Sequence, residues 1–310
     1  MNNNNYDLTI IAGPCSITPE NTEEIINEIA PITTSDGTRA IYGTRVVGLK
    51  SRTALSEKGD GMGMDYEVIK QALSLPESER GKLSLPSVKL AERIAEKTGL
   101  LITAEIMIPH IQLPFYEQKE LLHGNFLPWN PAVEQLGWNL LEMGEFAKRN
   151  HWDIGIKHGK FLGKVSLEVA NHPDYKGETA LEKVMIGLET YIPQIDGEII
   201  MIHRGVDVPR EGDSRNAIAH EIMKRVKPKI ARSKMYFDPT HTIGPKLKHT
   251  IVPETLSAMK LKVGNDFLYE GLLMEAGTSP TDTDEHVTID ELKYLVKELS
   301  TFRKLRPPKR

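Results

Sequence analysis

Short apolar runs alternate with amphipathic stretches along the whole chain, and the alternation repeats eight times. The apolar runs predict strands at Leu8–Gly13, Ala40–Val47, Leu100–Met107, Gly124–Trp129, Asp153–His158, Glu198–His203, Lys234–Asp238 and Phe267–Met274. Several are almost unbroken in Ile, Leu, Val and Met, the composition of parallel strands covered on both faces. The stretches between them carry apolar residues at helical spacing. Thr179-x-x-Glu182 is a capping box ahead of Leu181, Val184, Met185, Leu188, Tyr191 and Ile192, which fall on roughly one helical face. Thr288-x-x-Glu291 repeats the device before Leu292, Leu295, Val296 and Leu299. Thr18-Pro19 supplies a cap and a first-turn proline before Ile25, Ile26 and Ile29.

Eight strand-then-helix units without a compositional break favour an α/β fold of the closed (β/α)8 TIM-barrel type over an open doubly wound sheet. The expected organisation is a single catalytic domain over residues 1–310, with 1–7 and 303–310 as flexible termini. No Pro/Gly/Ser-rich linker and no internal repeat divides the chain. One long loop is expected from Ser51 to about Leu85, holding Gly59-Asp60-Gly61-Met62-Gly63 and a polar stretch around Glu77–Lys82. A loop of that length in a compact fold is usually functional or mobile.

The formal net charge of −4 gives no overall field suited to nucleic acid, so no nucleic-acid partner is expected. No apolar run is long enough to cross a bilayer, and Met1, four Asn and Tyr6-Asp7 lack the features of a signal peptide. No membrane association and a cytoplasmic location are therefore expected. Cys15 is the sole cysteine, which rules out an internal disulfide framework and fits a reducing compartment. The basic end, Arg303 to Arg310, reads as a solvated cationic segment.

In a barrel of this type, chemistry sits where strands end and the following loops begin. Polar residues gather at those positions. Arg45, Lys50, Arg52, Lys157 and Arg204 would point into one mouth, where without an anion their repulsion would be costly. Phosphate is their natural partner. A second set, Cys15, His241, Glu275 and Asp284, comes from the first, seventh and eighth strands and the final loop, which become neighbours on closure. Mixed S/N/O donors suit Mn²⁺, Fe²⁺, Zn²⁺ or Co²⁺, whereas Ca²⁺ and Mg²⁺ prefer oxygen throughout. Singly, each residue has a plainer reading: a strand-end cation in a surface ion pair, Asp238 starting a turn before Pro239, His241 as a loop histidine satisfied by its neighbours.

These strings, in this order, resemble the 3-deoxy-D-arabino-heptulosonate 7-phosphate synthase family and its octulosonate 8-phosphate relative. Ala12-Gly13-Pro14-Cys15-Ser16 is similar to the family's opening motif with its metal-binding cysteine. Arg45 followed by Lys50-Ser51-Arg52-Thr53 is similar to the Lys-Pro-Arg-Thr block of the heptulosonate branch, with serine in place of proline. Asp238-Pro239-Thr240-His241 resembles the Asp-Pro-Ser-His metal motif, and Met274-Glu275 the glutamate of the eighth strand. Asp284, with Asp282 close beside it, lies where the family's last metal-binding aspartate is expected.

The resemblance implies a transferase that condenses phosphoenolpyruvate with an aldose phosphate, foremost erythrose 4-phosphate, in the first step of aromatic amino acid biosynthesis. Arabinose 5-phosphate is the alternative acceptor, and a non-catalytic phosphometabolite-binding barrel the alternative class. Arg45, Lys50, Glu105, Lys157 and Arg204 would surround phosphoenolpyruvate, while Arg52 and Thr53 would hold the sugar phosphate. Asp238 would complete the substrate-binding set. Lys50, Glu105 and His241 are the catalytic candidates, with Lys50 or a metal-bound water handling the proton. One divalent ion is implied as cofactor, phosphorylated small molecules as ligands, and a homo-oligomer, dimer or tetramer, as the assembly. The chain departs from the pattern at Trp129-Asn130, where Asn130 stands in place of an arginine that grips the donor phosphate.

Overall fold

The computed structural model describes residues 6–50, 62–132, 137–158, 162–206, 214–281 and 283–309. Its centre is a closed barrel of eight parallel strands: β1 (Thr9–Gly13), β2 (Gly43–Arg45), β3 (Leu101–Glu105), β4 (Phe126–Trp129), β5 (Ile154–His158), β6 (Ile199–His203), β7 (Ser233–Phe237) and, last, β10 (Gly271–Glu275). Each strand pairs with its chain neighbour and β10 closes on β1, with Thr9 opposite Gly271 through Gly13 opposite Glu275. Helices cover the outside, so the (β/α)8 expectation holds.

Strand periodicity divides the core in two. Ile11, Tyr42, Leu101, Leu127, Trp129, Ile200, Ile202, Tyr236 and Leu273 form one cluster that fills the lumen. Their chain neighbours, such as Ile10, Ile102, Phe126, Met201, Phe237 and Leu272, belong to the larger cluster between strands and helices. Successive strand side chains point to opposite faces, and both faces here are apolar.

The expected caps form. Thr18, Thr179 and Thr288 each accept from a backbone N–H of the first turn, and Asn21, Glu182 and Glu291 complete reciprocal capping boxes. Three boundaries differ most from expectation. The strand expected over Ala40–Val47 is only Gly43–Arg45. The eighth barrel strand starts at Gly271, because Phe267 belongs to a short antiparallel hairpin, β8 (Lys262–Val263) with β9 (Asp266–Phe267), turned at Gly264 with φ +61°. The expected loop from Ser51 to Leu85 lies outside the described residues at 51–61. Beyond them it contains helices Tyr66–Ser74 and Glu77–Arg80. The first of these buries only Ile69 and Ala72 fully, too thin an apolar face to stand out from the polar composition around it.

Residues 303–309, read from sequence as a flexible cationic end, lie across the floor of the barrel. Leu305 pairs with Leu8, and Arg303 is almost fully buried, donating to the carbonyls of Met259, Asp7 and Tyr269 and to the Asp7 carboxylate. Arg306 binds Glu198 through both carboxylate oxygens, with its guanidinium 4.3 Å from the ring centroid of Tyr42.

Candidate functional site

The carboxyl ends of the strands continue the lumen-facing register into charged residues. Two positions on from the lumen residues Gly43, Thr103, Gly155, Ile202, Tyr236 and Leu273 stand Arg45, Glu105, Lys157, Arg204, Asp238 and Glu275. The alternation that fills the lumen with apolar side chains therefore crowns it with ionisable ones. All but Glu105 are buried.

Two linked groups of contacts result. In the first, Arg45 donates to the Pro14 carbonyl at 3.2 Å and to Glu275 Oε1 at 2.9 Å, and Lys50 Nζ lies 2.8 Å from Cys15 Sγ. In the second, Lys157 Nζ lies 2.9 Å from Asp238 Oδ2, and Asp238 accepts from His241 Nδ1. His241 Nε2, 3.5 Å from Glu275 Oε1, joins the two. Asp238 also accepts from the His241 backbone N–H, capping the short helix Pro239–Ile243 that carries this ring.

Cys15, Glu275 and His286 bring one ligand atom each into a buried space in which all three lie within 4.8 Å of one another. His286 Nδ1 sits 2.8 Å from the Gly277 carbonyl, which only accepts, so Nδ1 carries the proton and Nε2 keeps its lone pair, 3.9 Å from Glu275 Oε2. Asp238 imposes the same tautomer on His241. An imidazole oriented through its far nitrogen by a carbonyl or carboxylate is the usual arrangement behind a metal-ligating histidine. The donor set thus fits a divalent ion of the Zn²⁺, Fe²⁺ or Co²⁺ kind.

Charge balance explains how so many ionisable groups tolerate burial. Burial disfavours the charges of Arg45 and Lys50, but Glu275 and Cys15 respectively, with further anions nearby, hold both groups above their ordinary values. Burial lowers Lys157 despite Asp238. Burial alone would raise Asp238 and Glu275; His241 together with Lys157 or Arg45 keeps both carboxyls well below their ordinary range. Burial takes His241 down to about 4, leaving it neutral at pH 7. At this mouth, Arg45 Nη1, Trp129 Nε1 and Glu275 Oε2 are among the enclosed atoms with no hydrogen-bond partner among the described residues. Buried polar atoms are almost always partnered, so these three are groups that a ligand in the mouth could satisfy.

Of the residues expected from sequence, Cys15, Arg45, Lys50, Glu105, Lys157, Arg204, Asp238, His241 and Glu275 all lie at this end of the barrel. Arg52, Thr53 and Asp282 lie outside the described residues. Asp284 is exposed on the turn Thr283–Glu285, away from the buried group. His286, which the sequence reading passed over, stands beside Cys15 and Glu275. After β10 the chain returns so that Ala276 pairs with Val287 and the Val287 N–H bonds to the Glu275 carbonyl, bringing His286 back beside the strand end. The Asn130 carboxamide, expected at the substrate, is turned to the Lys157 backbone.

A second cavity, of about 610 Å³, opens at the opposite end of the barrel, but Asp7, Glu198 and Glu270 on its wall each already hold an Arg or Lys. No protein-family model matches the chain, and no curated protein matches it significantly.

Proposed function

We propose that the protein is a metal-dependent synthase that joins phosphoenolpyruvate to a phosphorylated aldose, erythrose 4-phosphate in the first instance, releasing inorganic phosphate. The observation that carries this reading is the buried Cys15–Glu275–His286 group set directly against the Arg45 and Lys50 cations. A cation site and an anion site sharing Glu275 suit a reaction that must hold two anions together while polarising a carbonyl. The motif resemblance supplies the identity of the substrates.

In this reading Cys15, Glu275 and His286, with His241 adjoining, hold a divalent ion, which when bound supplies Lewis-acid polarisation of the aldehyde. The bond formed joins the methylene carbon of phosphoenolpyruvate to the aldehyde carbon, whose oxygen takes up a proton. Water supplies the new ketone oxygen, and phosphate departs with the old one. Lys50, held protonated by Cys15 and its neighbours, is the group placed to deliver the proton to the aldehyde oxygen. Arg45 Nη1 offers an unused donor to an anionic oxygen of the donor substrate. Lys157 and Arg204 add positive charge from β5 and beyond β6, and enclosure strengthens each of these interactions.

The test is phosphate release by purified protein given phosphoenolpyruvate, Mn²⁺ and either erythrose 4-phosphate or arabinose 5-phosphate, with and without EDTA. Chelator-sensitive release with the four-carbon sugar is expected. Release only with the five-carbon sugar would move the acceptor, and release with neither would overturn the synthase.

A further inference from the structure

We propose that Asn130 is a positioning residue, whose carboxamide completes the join between β4 and β5 at Lys157 and so sets the Lys157 ammonium in the barrel mouth. The proposal rests on the anion site described above for its consequence in binding, but not for its geometry.

The join between these strands is thin. Five residue pairs hold β5 to β6 and four hold β3 to β4, whereas Trp129–Gly155 alone registers β4 with β5. Trp129 is the reason for the glycine: a Cβ at 155 would meet Trp129 Cβ at 2.7 Å and Ile202 Cδ1 at 3.1 Å. Past Trp129 the backbone of β4 runs into Pro131, which has no N–H to donate. The Asn130 side chain takes over. Its Oδ1 accepts from the Lys157 N–H at 2.8 Å, and its Nδ2 donates to the Lys157 carbonyl at 3.1 Å and to the Pro131 carbonyl at 3.1 Å. One planar amide thus supplies Lys157 with an acceptor and a donor, as a neighbouring strand would.

The consequence passes along contacts already described. Lys157 is a buried cation fixed at its backbone by Asn130 and at its ammonium by Asp238. Asp238 in turn orients the His241 ring. Residue chemistry narrows what can stand at 130. Alanine makes neither bond, aspartate accepts but cannot donate, and arginine donates but cannot accept. An arginine here would leave the Lys157 N–H without its partner, so the cation that the resembling family carries at this position is incompatible with this β4–β5 join.

Two measurements on the intact protein test this. Amide hydrogen exchange at Lys157 is expected to be at least about tenfold faster in Asn130→Ala than in the parent. Asn130→Asp, which keeps the acceptor, retains most of the protection and serves if the alanine variant does not fold. An unchanged Lys157 exchange rate in Asn130→Ala, or full loss of protection in Asn130→Asp, overturns the proposal. Calorimetric titration with phosphoenolpyruvate then completes a double-mutant cycle. Asn130→Ala should weaken binding about tenfold in the parent but less than about twofold on a Lys157→Ala background, because Asn130 acts through Lys157. Equal losses in both backgrounds would make Asn130 a direct ligand and overturn the positioning role. Absence of phosphoenolpyruvate binding by the parent would sink the proposed function instead, and the exchange result would still decide the role of Asn130.

Discussion

The group around Glu275 turns on which residue of the final loop faces it. His286 does so with a lone pair already aimed by the Gly277 carbonyl, while Asp284 stays in solvent. In the proposed metal site, a neutral imidazole in place of a carboxylate would make the donor set softer and less negative, which would favour Zn²⁺, Fe²⁺ or Co²⁺ over Mn²⁺. His286→Ala is expected to cut bound metal at least about tenfold by equilibrium dialysis, and Asp284→Ala to leave it unchanged. The reverse ranking would return the role to Asp284. Cys15 and Glu275 were legible in the sequence because each stands at a strand end inside a distinctive string. His286 was not, because its place depends on a loop that doubles back through a single Ala276–Val287 bridge, and no spacing rule announces that. A second residue-scale expectation concerns the lumen. Gly155→Ala forces a methyl against the wall of Trp129, and overpacking of this kind costs about 1–3 kcal/mol, measurable as a lowered denaturation midpoint.

Strand ends also place a stack of buried rings between the barrel and its helices. His158 on β5 and His203 on β6 lie parallel with ring centroids 5.3 Å apart, and Phe237 and Tyr269 extend the stack. His220, on the helix His220–Val226, bonds to the Tyr269 hydroxyl. Burial lowers His158 to about 3 and His220 to about 4, and takes His203 well below its ordinary value; Arg204 adds to this at His158 and Lys224 at His220, while Glu221 and Asp238 oppose it. The unfolded chain therefore takes up protons below about pH 6.5 that the folded state refuses, so stability is full above that pH and falls as pH drops. Each ring contributes up to about 1.4 kcal/mol per pH unit in that window. Denaturant unfolding at pH 7.5 and 5.5 should show a loss of several kcal/mol, smaller in His203→Phe; equal stabilities would contradict the buried neutral stack. The eight strands themselves were readable, since each is an apolar run between polar segments. The last was misplaced because Phe267, Leu268 and Tyr269 continue the apolar pattern while the chain is still turning through a hairpin. The helix Tyr66–Ser74 was hidden for the opposite reason, a face with few apolar residues.

At the scale of the molecule, the segment after Phe302 lies across the floor of the barrel. Composition suggested a solvated basic end, because five arginines and lysines among the last eight residues read as surface charge. Tertiary partners decide otherwise: Arg303 satisfies three backbone carbonyls, and Arg306 pairs with Glu198 beneath Tyr42. Hydrogen bonds to charged groups are worth roughly 1.5–3 kcal/mol each. A chain ending at Phe302 is therefore expected to lose at least about 3 kcal/mol and melt markedly lower. An unchanged melting temperature would show the segment to be dispensable. The described catalytic candidates share the other end, where Glu275 contacts both Arg45 and His241.

The most direct test of that shared centre is the metal content of the protein as purified and after reconstitution with Co²⁺, in the parent and in Cys15→Ser. One equivalent per chain is expected, with a thiolate-to-cobalt charge-transfer absorption that Cys15→Ser abolishes. Substoichiometric metal in the parent, or a cobalt spectrum indifferent to Cys15, would contradict a metal centre at the mouth of this barrel.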